Sequence, residues 1–231
     1  VSGVSLHILL KAPRPGLVKT RLAASLGPAL ALNAYRAMVA NVLAAADASA
    51  LPSRIHFAPA GEQAAVAGLV GPGRRLTPQA PGDLGSRMAA ALEAAFAAGD
   101  EAAVLMGSDL PLVTAGHLLA AASALATHPA VLGPAADGGY WLIGFTRQGF
   151  WPEVFTAMPW SRPAVAGLPR ARRAAAGRPA ALLPELSDCD EAADLKRLAA
   201  PPFREALAGT PFGRFLEQAP AGLFDQNPGC R

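Results

Sequence analysis

The stretch from Ala103 to Val113, AVLMGSDLPLV, constrains the fold more than any other. An apolar run, Ala102 to Met106, has the composition of a buried strand, and Gly107-Ser108-Asp109 breaks it. Pro111 forbids simple continuation of the ladder, and helical periodicity resumes near Thr114. An acidic residue therefore stands where a buried strand ends and a helix is about to start. In open α/β sheets, ligands bind at the carboxyl ends of the strands. Asp109 is then a cap or turn residue, a catalytic group or a metal ligand.

Similar strand and helix segments alternate along the chain. Val4 to Leu10 reads as a first strand, followed by a basic loop and a short helix from about Val18 to Gly27. Pro28 opens a longer helix, in which apolar residues from Leu30 to Ala46 recur at three- and four-residue spacing. Strands are expected at Arg54 to Pro59, Arg75 to Thr77, Ala130 to Gly133, Tyr140 to Phe145 and Ala180 to Leu186, with helices between most of them. This alternation predicts a three-layer α/β/α domain around a mainly parallel sheet. No repeat or linker marks a second domain. We expect one domain over residues 1–200 and a tail, 201–231, packed on it or loosely attached.

Composition narrows the function. At 52% hydrophobic and 16% charged residues the chain is that of a soluble globular protein. A net charge of +3 suits a small anionic substrate and is too weak to argue for nucleic acid. Cys189 and Cys230 match no metal spacing, and no signal-peptide pattern opens the chain, so a cytoplasmic location is expected. Asn33, Arg36, Asn41 and Asp47 interrupt the longest apolar candidate, so no membrane span is expected.

Five clusters could carry chemistry. The loop Lys11 to Arg21 holds Lys11, Arg14, Lys19 and Arg21 with Pro13, Pro15 and Gly16, and a helix N-terminus follows it. Cations and backbone N–H groups at that point favour an anion such as phosphate, although the loop is neither a Walker A nor a GxGxxG motif. Asp109 is the second. Ser187-Asp188-Cys189-Asp190 is the third: carboxylates at i and i+2 on extended backbone share a side, and with Asp109 they suffice for Mg²⁺. Asp190 could equally cap the next helix. In the fourth, Asp137-Gly138-Gly139-Tyr140, paired glycines suit both a hairpin turn and a close backbone approach to a ligand. In the fifth, Asp83 caps a helix whose first turn carries Arg87, within range of a phosphate or ribose. The four histidines are scattered, and Trp141, Trp151 and Trp160 read as packing residues.

Taken together, LLKAPRPGLVKTRLAASLG, GDLGSRM, MGSDLPLV, LGPAADGGYWLIGF, MPWSRPAV and SDCDEAADL resemble the bacterial GT-A-fold transferases of the arsenosugar-type, radical-SAM- and selenodomain-associated group. These are similar in turn to the guanylyltransferases of deazaflavin and molybdopterin cofactor synthesis. The resemblance runs from about Leu6 to Leu195. It implies a transferase of GT-A (nucleotide-diphospho-sugar transferase-like) fold that uses Mg²⁺ (or Mn²⁺), a nucleotide or nucleotide-sugar donor and a small acceptor. Lys11, Arg14, Lys19 and Arg21 match the nucleotide-phosphate loop, and Asp83 to Arg87 the donor-nucleotide side. Asp109 matches the metal-binding Asp, Asp188 and Asp190 the terminal DxD, and Asp137 to Tyr140 the acceptor side. Asp109, Lys19 and Asp137 are thereby the catalytic candidates, with Asp137 as an orienting or basic group. Where the family has Trp-Gly-Thr this chain has Trp160-Ser161-Arg162, which bears on acceptor choice. Glycosyl transfer is favoured over nucleotidyl transfer, and a non-catalytic nucleotide-binding module is a third possibility.

Overall fold

The structure is a computed structural model, and it describes residues 3–136, 139–156, 180–220 and 223. Seven strands form one sheet: β1 (Val4–Lys11), β2 (Ser53–Ala58), β3 (Arg75–Pro78), β4 (Ala102–Gly107), β5 (Ala130–Pro134), β6 (Tyr140–Thr146) and β7 (Ala180–Leu182). Their order is β3-β2-β1-β4-β6-β5-β7, and only β6 runs against its neighbours. The fold is thus α/β with a mostly parallel mixed sheet.

The central strands are apolar on both sides because helices cover both faces. From β1, Leu6, Ile8 and Leu10 join Phe57 and Val104 beneath α2 (Pro28–Ser49) and α5 (Ala115–Ala124). On the opposite face Leu9, Leu105, Ile143 and Phe145 meet Met88, Leu92 and Phe96 of α4 (Leu84–Ala97) and Phe155 of α6 (Glu153–Thr156).

The long helix α2 buries two stripes, where three- and four-residue spacing by itself predicts one. Tyr35, Val39, Val42 and Ala46 face the sheet. Ala31, Ala34 and Met38 face a second layer built from α1 (Thr20–Leu26), α7 (Ala192–Leu198) and α9 (Pro211–Gln218). There Leu22, Leu195, Phe212 and Leu216 close a separate apolar cluster around Cys189. Over its best window α2 is apolar enough to cross a membrane, but 61% of that window is buried inside the protein, so its apolarity belongs to the core.

One expected boundary moves. β7 stops at Leu182 instead of Leu186, and only an isolated bridge, Ala135 to Leu186, continues the pairing. Pro184 lies in the gap; its carbonyl accepts a hydrogen bond from Trp141 Nε1 at 3.1 Å. Of the tail, Phe203–Ala206 (α8) and Pro211–Gln218 are helical, and Phe212 is fully buried. Trp141 is a packing residue, as expected. Its ring lies where a side chain on Gly133 would be, 2.4 Å from an ideal Cβ, so only glycine fits there.

After β1 the chain builds β2 and β3 on one side, then returns to place β4 on the other. The β1–β4 boundary is therefore a topological switch point, where the carboxyl ends of an α/β sheet open a crevice. Leu9 pairs with Gly107 at the last step of that ladder. Beyond it lies a cleft of about 620 Å³.

Candidate active site

The cleft brings together the loop after β1, the end of β4, the first turn of α4 and the segment before α7. Of the expected residues, Lys11, Lys19, Arg21, Asp83, Arg87, Asp109 and Asp190 line it.

Lys19 is its electrostatic centre. It is the N-cap of α1 and has a left-handed backbone, φ 50° and ψ 49°, uncommon for a residue with a side chain. Its side chain is only 3% exposed and carries its ammonium between two carboxylates. Asp109 Oδ2 lies 2.8 Å away and Asp190 Oδ1 2.5 Å away. Burial by itself would lower the lysine pKa, but the two carboxylates outweigh it and hold the ammonium above its ordinary value. Lys19 is therefore cationic at any physiological pH.

Neither aspartate caps a helix. The helix after β4 begins at Ala115 with Thr114 as N-cap, where Thr114 and His117 bond reciprocally. Asp109 lies five residues earlier; its Oδ1 accepts from Ser108 Oγ at 3.2 Å. Before α7 the backbone N–H groups of Asp190 and Glu191 are both taken by Asp194 Oδ2, at 3.0 and 2.9 Å. The Asp190 side chain is left for Lys19. Cys189 between the two aspartates points into the helical cluster, and burial pushes its thiol up to about 12, which makes it an anchor.

Other expected residues stand elsewhere. Asp188 is half-buried and does not line the cleft, although Asp190 does. Residues 187–190 belong to no paired strand, so the alternation that would aim i and i+2 together is not imposed. Arg14 is also outside the lining and pairs with Glu62 of the short turn after β2. Arg21 Nη1 is 3.9 Å from Asp190 and 3.7 Å from Glu191, with a largely exposed side chain. Asp83 caps α4 as expected, accepting from Ser86 N at 2.8 Å, and these bonds hold its carboxyl below the usual range. Gly139 and Tyr140 do not line the cleft either; the Tyr140 phenol donates to Met88 Sδ at 3.8 Å. Asp137, Gly138 and the Trp160-Ser161-Arg162 segment lie outside the described residues.

Sequence reasoning missed two residues that shape the cleft. Tyr35 of α2 donates to the Lys11 carbonyl at 2.7 Å and accepts from the Lys11 N–H at 3.0 Å. It takes both backbone groups where the β1–β4 ladder has ended. Burial, then the Asp109 charge, pushes its phenol up to about 12, so it remains protonated and can donate. Gln79 Nε2 donates to the carbonyls of Leu10 and His56 at 3.1 and 2.9 Å, and its Oε1 accepts from Arg87 at 3.3 Å. One amide thus ties the ends of β1 and β2 and orients Arg87. A lone Gln between Pro78 and Pro81 was its only signal in the sequence.

The donor set suits a hard divalent cation. Two carboxylates converge within reach of one ammonium, which matches Mg²⁺ held by one or two carboxylates plus ligand phosphates. Among the described residues no cluster of three or more His, Cys, Asp or Glu forms an all-protein metal cage.

Residues 40–162 match a family described as "Uncharacterized protein conserved in bacteria (DUF2064)". No curated protein matches the chain. Among solved structures, a protein of Desulfovibrio desulfuricans G20, classed provisionally as a nucleotide-diphospho-sugar transferase, is 30% identical with a TM-score of 0.90, over 97% of this chain and 98% of that one. The 4-diphosphocytidyl-2C-methyl-D-erythritol synthase of Anaerococcus prevotii DSM 20548 shares the fold at 9% identity and a TM-score of 0.55, covering 83% and 94%. A CMP:2-keto-3-deoxy-manno-octonic acid synthetase complexed with CTP shares it at 13% and 0.51, covering 85% and 97%.

Proposed function

The chain belongs to the DUF2064 family, and we propose that it is a Mg²⁺-dependent transferase that takes a nucleotide-diphospho-sugar as donor and a small molecule as acceptor. The observation that carries this reading is the convergence of Lys19, Asp109 and Asp190 at the carboxyl end of the sheet, between residues 171 positions apart. Asp109 and Asp190 would hold the cation, which would supply charge neutralisation on the donor phosphates. Lys11, Lys19 and Arg21 would bind those phosphates, while Asp83 and Arg87 on the opposite wall would hold the nucleoside. Gly107 leaves open space at the cleft floor, where a side chain would project toward the donor.

In this reaction an acceptor oxygen forms a bond to the anomeric carbon, the bond from that carbon to the diphosphate breaks, and a nucleoside diphosphate leaves. Asp137, which lies between β5 and β6 in the sequence, would orient or deprotonate the acceptor. The 30% identical relative, aligned over nearly the whole chain, supports the sugar-nucleotide donor.

A second reading is nucleotidyl transfer, in which an acceptor phosphate or carboxylate attacks the α-phosphorus and pyrophosphate leaves. It is favoured by three cations, Lys11, Lys19 and Arg21, along the phosphate wall, enough for a triphosphate. Thermal-shift ranking of nucleoside triphosphates against nucleotide sugars, with and without Mg²⁺, separates the two. Stabilisation by nucleotide sugars, followed by acceptor-dependent release of nucleoside diphosphate, is the expected result. Pyrophosphate release from a triphosphate would replace the first reading with the second. Tight binding without either product would make the chain a binding module.

A further inference from the structure

Three candidates lie outside the roles assigned above: the second cavity, the buried histidine pair and the geometry of Lys19. The cavity of about 270 Å³ at the amino end of β1, beside Glu101 and Arg147, is lined by no buried side-chain polar atom that lacks a partner, among the described residues. The His7–His56 pair is buried, with His7 Nδ1 bonded to His56 Nε2 and His7 Nε2 to Ser5 Oγ, and neither ring lines either cavity described. Lys19 carries the inference furthest.

We propose that Lys19 and a divalent cation are alternative occupants of the Asp109–Asp190 pair, so that loading the cation releases the lysine toward the donor phosphates. This rests on the metal-dependent reading above. The inward oxygens of both carboxylates, Asp109 Oδ2 and Asp190 Oδ1, are bonded to the same ammonium. The remaining oxygens also have neighbours: Asp109 Oδ1 accepts from Ser108 Oγ, and Asp190 Oδ2 faces Arg21 at 3.9 Å. Asp109 and Asp190 would hold a cation between them where the Lys19 ammonium now sits, and a divalent cation there would repel that ammonium. The ammonium comes from the buried side, while the carboxylates are about two-fifths exposed toward the cleft. A cation arriving from solvent therefore meets a site already neutralised from below.

The left-handed backbone at Lys19 fits this role, since a strained residue between loop and helix is a suitable pivot. When the donor is present, its phosphates offer the displaced ammonium a new anionic partner. Cation and donor then bind with positive coupling, each tightening the other by the same factor.

The test is Mn²⁺ binding followed by electron paramagnetic resonance of the free ion, on the wild type and Lys19→Met, with and without UDP-glucose or GTP. Lys19→Met without nucleotide is expected to bind Mn²⁺ at least tenfold more tightly than the wild type, and nucleotide should tighten Mn²⁺ by a larger factor in the wild type than in the variant. Equal or weaker Mn²⁺ binding by the folded variant overturns the proposal and leaves the metal-dependent reading intact. No Mn²⁺ binding by either protein under any condition overturns both. Should the variant not fold, acetylation of the Lys19 amine in the wild type, followed by mass spectrometry, provides the second measurement. The amine should react faster with saturating Mg²⁺ than without it, and an unchanged rate overturns the proposal.

Discussion

Lys19 Nζ lies 2.5 Å from Asp190 Oδ1 across 171 residues of sequence. That bond joins the first loop of the sheet to the segment before α7, and Asp109 completes it from the middle of the chain. Removal of either carboxylate leaves the buried Lys19 ammonium with a single counter-charge, so substitutions within the trio should be coupled.

Asp109→Asn keeps the shape of the side chain and removes its charge. Mg²⁺-dependent donor binding should be lost, and turnover should fall by roughly 100-fold or more, the scale for deleting one preorganised electrostatic group. Thermal shifts with donor, with and without Mg²⁺, read the first effect, and product release reads the second. Unchanged binding and turnover would remove Asp109 from the site.

Tyr35→Phe deletes one hydroxyl and strands both backbone groups of Lys11. A loss of about 1 kcal/mol is expected from chemical denaturation, the net scale of a hydrogen bond whose partner can still reach water. Donor affinity should fall as well, because the phenol anchors the root of the phosphate loop. A fully stable variant with wild-type donor binding would show that the loop holds its own shape.

The histidine pair predicts a pH dependence of stability. His7 Nδ1 is 2.8 Å from His56 Nε2, and Ser5 Oγ links His7 to Asp100. Burial, then Arg54, lowers His7 to about 4; burial, then His7 and Arg54, lowers His56 to about 3. Unfolding returns both to about 6.5, so between about pH 6.5 and 4 the unfolded chain binds more protons. Stability is full above 6.5 and falls with acidification, with a slope approaching about 1.4 kcal/mol per pH unit for each titrating histidine. Melting temperatures across that window test this; a flat profile contradicts it.

Phe212→Ala tests a proposal about domain organisation, that the C-terminal helices belong to the same cooperative unit as the sheet. Phe212 is fully buried with Met38 and Leu22 in one cluster. A loss of about 3–5 kcal/mol in a single transition is expected. A separate early transition, with the sheet unaffected, would make the tail an independent appendage.

Much of the fold was legible because periodicity is local. The apolar runs at Val4, Ala102 and Tyr140 needed no partner to read as strands, and Pro28 marked a helix start by its own geometry. Asp83 was legible as a cap for the same reason. Arg14 is expected at the site as a cation of the basic loop, and Asp188 from i, i+2 alternation and the resemblance to a terminal DxD, yet neither lines the cleft. Side-chain direction in unpaired loops depends on distant neighbours; for Arg14 the neighbour is Glu62.

By itself the sequence determined the alternating elements, their apolar faces and the positions where charge must gather at strand ends. These follow from turn chemistry and from the periods of helix and strand, which act over a few residues. Only the tertiary structure decided that Lys19 stands between Asp109 and Asp190, that Tyr35 and Gln79 hold the strand ends, and that α2 is buried on two sides. Each of these depends on strand order and on helices packed from the far end of the chain, contacts that no local pattern encodes.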